Sequence, residues 1–155
     1  MNKNAKAWVK ALRSGKYTQG TGKLSYQVHN WKEEEDVVKH CCLGVACVLY
    51  KESHPEWPVY LGDSNEYAYG NNRERFNLPP EVMKWLNIND TSGKQLTTND
   101  SIIDSLASMN DGGATYDDIA DVIEQENPGL FNTKKSIEKW DKLVKQDHLG
   151  ANYVA

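Results

Sequence analysis

The sequence predicts an α+β fold: one compact domain over residues 1–155, with about five to six helices packed with a small antiparallel sheet. Three observations lead there. Several stretches repeat apolar residues at helical spacing, one stretch near residue 24 alternates as a strand does, and Gly, Pro and Asn clusters separate them. A chain of 155 residues buries a core without staples.

Residues 4–14 set Ala7, Trp8, Ala11 and Leu12 on one helical face, and Gly15 ends the helix. The turn Thr18-Gln-Gly-Thr-Gly22 follows. Leu24, Tyr26 and Val28 then alternate with Lys23, Ser25, Gln27 and His29, which predicts a strand with its apolar side buried. Glu33 to Asp36 reads as a solvated loop. His40 to Tyr50 is the most apolar run, and Leu43, Ala46, Cys47 and Tyr50 share the face of a buried helix. Gly44 inside it admits close backbone packing.

Short strands are expected at Pro58–Leu61 and Glu66–Tyr69, and Leu78–Leu86 is a helix opened by proline. Residues 100–109 read as a helix with Ile102, Ile103, Leu106 and Met109 inward. Asn110-Asp-Gly-Gly113 breaks it. Thr115 and Asp118 then form a capping box for a helix to about Glu126, which Asn127-Pro-Gly129 stops. A last helix from about Thr133 to Gln146 turns Ile137, Trp140, Leu143 and Val144 to its apolar side, within a C-terminal helical extension over 130–148.

Charge is unevenly placed. The net charge is −4, yet residues 1–24 carry six Lys or Arg and no acid, while residues 99–127 carry eight acids and no base. A basic helix running into Arg13-Ser-Gly-Lys-Tyr-Thr-Gln-Gly-Thr-Gly-Lys23 is a sensible place to hold an anion such as a phosphate. Arg13, Lys16 and Lys23 supply charge; Gln19, Gly20 and Gly22 offer donors. The alternative is that the basic and acidic segments attract each other within the fold, or between subunits of a homo-oligomer. The turn is not a Walker loop, because it lacks the four-residue gap and the following Lys-Ser/Thr and precedes a strand.

Three cysteines, Cys41, Cys42 and Cys47, are an odd and clustered set, which speaks against a disulfide framework and for a reducing compartment. Neither a signal peptide nor a membrane span is evident, so a soluble, cytoplasmic protein is expected. His40-Cys-Cys-x4-Cys47 lacks the second knuckle of a structural zinc site, so no metal and no other cofactor is expected. As an enzyme the chain would use Cys41 or Cys42 near a helix N-terminus, with His29 or His40 as base, or Asp111 as base. No complete catalytic motif is present. Asn110-Asp111 fails the calcium-loop register, yet both side chains are candidates to enter a pocket. The helix-turn-helix outline of 100–126 is too acidic to approach nucleic acid.

Five Trp and eight Tyr supply flat apolar faces with polar tips. Tyr17, Tyr67 and Tyr69 are candidates to stack a base.

Taken in order, Trp8–Leu24, Cys41-Cys-Leu-Gly-Val-Ala-Cys47, Leu78-Pro-Pro-Glu-Val-Met-Lys-Trp85, Leu106-Ala-Ser-Met-Asn-Asp-Gly112 and Ile119-Ala-Asp-Val-Ile-Glu124 resemble a family of small uncharacterised phage and prophage proteins. The resemblance covers about residues 7–126. Met109 stands where that family has Leu, and the tail after Pro128 lies outside. The resemblance implies a setting in the host bacterial cytosol. Small phage proteins of this kind often counter host defence, and one strategy is to sequester nucleotide immune signals such as cyclic dinucleotides or ADP-ribose derivatives. It therefore implies a binder of a phosphorylated, nucleotide-like small molecule. A hydrolase of such a signal and an inhibitor that docks on a host protein are the alternatives.

Overall fold

A computed structural model describes residues 1–97 and 102–154. Helix α1 (Lys3–Arg13) starts where the Asn2 side chain accepts from the Ala5 amide, and it buries Ala5, Trp8, Val9 and Leu12. Two-residue β1 (Thr18–Gln19), β2 (Ser25–Asn30) and β3 (Glu35–His40) form a mixed sheet in the order β1-β3-β2. β1 runs parallel to β3 and β2 antiparallel to it, so one row of the ladder reads Gln19, His40, Ser25. Helix α2 (Cys42–Ser53) follows at once. Its cap is Cys41, in extended backbone, whose sulfur accepts from the Gly44 amide.

The hairpin β4 (Val59–Leu61) and β5 (Tyr67–Tyr69) lies beside β2, and α3 (Pro80–Leu86) comes next with proline in its first turn. A second hairpin, β6 (Lys94–Thr97) with β7 (Ile102–Ser105), runs directly into α4 (Leu106–Asp111). Helix α5 (Tyr116–Glu124) opens on the expected Thr115–Asp118 capping box. The last helix, α6 (Lys134–Val154), rests on the body through Trp140, whose ring lies against Gly129. The α+β class stands, with six helices and three small sheets among the described residues.

One core joins these elements. Trp8, Leu12, Leu43, Leu86, Leu106 and Ile119 have almost no exposed surface, and the Trp8 indole donates to the Cys42 carbonyl at 2.8 Å. Gly44 packs directly on the backbone of Leu24, the residue that leads into β2: a Cβ there would sit 1.8 Å from the Leu24 carbonyl oxygen.

Three sequence expectations need correction. Glu35 and Asp36 belong to β3, not to a loop, and the apolar run from His40 starts as the end of that strand. Ser25, expected on the polar side of β2, is fully buried, because it stands opposite His40. Ile102 and Ile103 lie on a strand and are 54% and 44% exposed, because Ser105 caps α4 and bars helix before it. Residues 100 and 101 of that expected helix lie outside the described residues. No helix among the described residues is long and apolar enough to cross a membrane.

Candidate ligand-binding site

The glycine turn and the Asn110-Asp111 pair do meet, 90 residues apart in the chain, and they clasp each other. Asn110 is only 1% exposed. Its Nδ2 donates to the Gly20 carbonyl at 2.8 Å, while its Oδ1 accepts from Gln19 Nε2 at 2.9 Å and the Cys42 amide at 3.1 Å. Gln19 also donates to the Ala114 carbonyl. Three amides of the turn are engaged within the chain: Gly20 donates to the His40 carbonyl, Thr21 to the Tyr26 hydroxyl, and Gly22 to Asp111 Oδ1 at 2.9 Å. Gly22 holds a positive φ of 81°, which suits glycine.

Three cations of the basic segment also have partners, each in a different part of the chain. Arg13 pairs with Asp121 and Glu124 of α5. Lys16 lies 3.9 Å from Glu52 and over the Tyr17 ring. Lys23 lies 2.7 Å from Glu66. The basic and acidic segments thus meet at α1 and α5. A groove of about 590 Å³ runs along α1 past Lys6, Lys10 and Arg13.

The thiols are buried. Burial pushes Cys41 up to about 11 and Cys42 well above its ordinary value. A thiol with a pKa near 11 is a thiolate about once in ten thousand at neutral pH, so neither is poised as a nucleophile. Asp111 spends its Oδ1 on the Gly22 amide.

A more ligand-like cavity, of about 300 Å³, opens between β3, α2 and the β4–β5 hairpin. Val38, Val48 and Val59 make its apolar wall, and Tyr67 and Tyr69 face it as neighbours two apart on β5. Their ring centroids are 6.4 Å apart with planes 26° from parallel. Lys51 and Glu52 stand at the edge. The Lys51 ammonium is engaged by the carbonyls of Pro55 and Trp57, and Glu52 faces Lys16.

His40 supplies the polar group of this cavity. Its Nδ1 lies 2.6 Å from Ser25 Oγ, and the Tyr69 hydroxyl donates to that oxygen at 2.7 Å. The strand register sets this chain by putting Ser25 opposite His40. Tyr17 packs its ring edge-on to the imidazole at 5.8 Å. Burial lowers His40 to about 4, so the ring is neutral at physiological pH. Serine bonded to histidine has the composition of a nucleophile and its base. Here Ser25 has no exposed surface, so a substrate cannot reach it.

Tyr67 and Tyr69 therefore line the cavity, Tyr17 borders its histidine, and Lys16 stands beyond Glu52. Arg13 and Lys23 are bound elsewhere, and Gln19, Gly20, Gly22, Asn110 and Asp111 form the clasp. Sequence reasoning missed Ser25, and it weighed His40 only as a base for a thiol. The spacing of Val38 and His40, two apart on one strand face, was the available signal.

No curated protein and no solved structure matches the chain. One family model does match. It matches residues 1–127 of the chain, which take in the whole motif-bearing span of 7–126 and end before α6. The chain belongs to that family, described as a domain of unknown function, DUF8296.

Proposed function

We propose that the protein binds a phosphorylated, nucleotide-like small molecule and sequesters it. The observation that carries this reading is the cavity walled by Tyr67 and Tyr69, with an imidazole as its polar group. Flat apolar rings suit a base, and a small number of fixed polar groups sets orientation. At about 300 Å³ the cavity lies at the small end of ligand sites, so it takes the base end of a ligand and leaves its phosphates outside. Lys16 is the cation of the basic segment nearest in connection, through its Glu52 partner. The resemblance to phage and prophage proteins supplies the setting: a protein of the host cytosol that removes an immune signal, a cyclic dinucleotide or an ADP-ribose derivative.

Calorimetry against a panel of cyclic dinucleotides and ADP-ribose derivatives tests this. At least one member binds at micromolar protein, and Tyr67→Ala weakens it by about tenfold or more, as loss of one stacking ring does. Silence across the panel rejects the reading. Ligand released intact by heat marks a binder, whereas altered ligand marks the alternative, a hydrolase of the same signal. One observation favours a different reading. Trp31, at the β2–β3 turn, is 78% exposed, which suits docking on a host protein. Capture of a host protein by the wild type but not by Trp31→Ala supports that case.

A further inference from the structure

Taking the Tyr67–Tyr69 cavity as the ligand site, we infer that it selects a flat ring with a carbonyl oxygen on its edge, an oxo base over an amino base, through a fixed N–H donor on His40. The direction of the buried hydrogen bonds requires this donor. Ser25 Oγ is the only acceptor bonded by the Tyr69 hydroxyl among the described residues. Having accepted there, Ser25 has a single hydrogen to place, and His40 Nδ1 at 2.6 Å receives it. Nδ1 is then an acceptor, so the neutral ring carries its own hydrogen on Nε2. Reversing the chain would strand the Tyr69 hydrogen, and an Nδ1–H given to Ser25 beside the Tyr69 bond would strand the Ser25 hydrogen, with no other acceptor bonded to either among the described residues.

His40 lines the cavity, and its Nε2 has no hydrogen-bond partner among the described residues. The other polar groups of the wall do not compete. Lys51 is engaged by two carbonyls, and Glu52 faces Lys16. The Tyr67 hydroxyl rotates to give or take a hydrogen bond, so it adapts to either kind of edge. His40 cannot adapt, because Ser25 locks its other nitrogen. A ring carbonyl accepts from Nε2–H. An amino group at the same place sets donor against donor and leaves both unpaired, and an unmet buried polar group is what produces strong rejection.

The test uses the wild-type chain and two matched pairs: uridine against cytidine monophosphate, and inosine against adenosine monophosphate. Each pair exchanges oxo for amino at one ring carbon, and the neighbouring ring nitrogen changes from N–H to bare nitrogen with it. The oxo member binds tighter by about tenfold in at least one pair. His40→Gln, whose amide turns either end to the ligand, weakens binding of the oxo member and brings that ratio close to one. Nitrogen NMR of the wild type shows a protonated Nε2 and an accepting Nδ1. Equal or reversed affinities in both pairs overturn the inference, as does an Nδ1-protonated ring. If none of the four binds, the inference falls with them. A correct tautomer in that case places the failure in the ligand class, and binding without discrimination places it in His40.

Discussion

His40 is kept neutral by burial, and that state is lost in acid. The unfolded chain protonates this imidazole near 6.5, whereas the folded one does so near 4. Between those values the unfolded state binds more protons, so stability falls as the pH drops from about 6.5 to 4. Above 6.5 this side chain leaves stability level with pH. The full effect is up to about 3 kcal/mol. Denaturant midpoints measured across that window decline in the wild type, and His40→Gln removes much of the slope. A slope unchanged in His40→Gln would assign the decline to other groups. The neighbouring hydrogen bonds belong to the same account. Ser25 and Tyr69 hold their hydroxyls away from water only because each has a partner in the chain that ends at His40.

Among the elements, α2 depends on one missing side chain. Its first turn approaches Leu24 so closely that a methyl at Gly44 would overlap the Leu24 carbonyl. Gly44→Ala therefore forces α2 off the sheet, destabilising by about 3 kcal/mol or more, against a slight gain in helix propensity. A melting temperature equal to the wild type's would refute that packing. Much of this element was legible in advance, since a single glycine in an apolar helical run signals close backbone approach. The same holds for α1, α3 and α5, whose apolar periodicity and caps are local. β3 and the β6–β7 hairpin were not legible. Glu35 and Asp36 look solvated until paired with β2, and Ile102 and Ile103 have helical spacing from Leu106 although Ser105 starts the helix. The site was half legible for the same reason. Aromatic residues on β5 announce a ring-lined wall, but a serine becomes a buried relay only through the register that sets it opposite His40.

At the scale of the whole molecule, the opposite charges of the two segments meet inside one chain. Arg13 on α1 faces two carboxylates of α5, in a surface arrangement that contributes little to stability and more to alignment. Reversing its charge would set three carboxylates together, so such a variant reports on α1–α5 docking before it reports on any ligand. The clasp at Asn110 has a different reach. It joins stretches 68, 90 and 91 residues away, so each of its bonds closes a long loop. Loop closure on that scale is entropically late, and contacts that form late are absent from the transition state. Asn110 thus acts as a latch on the finished fold. Asn110→Ala should speed unfolding by about tenfold or more and leave refolding nearly unchanged in stopped-flow experiments. Slowed refolding would instead place the clasp in the folding nucleus. Resistance to proteolysis over hours would then depend on an amide whose bonds are all made inside the chain, beside the strand row that joins Gln19 to His40.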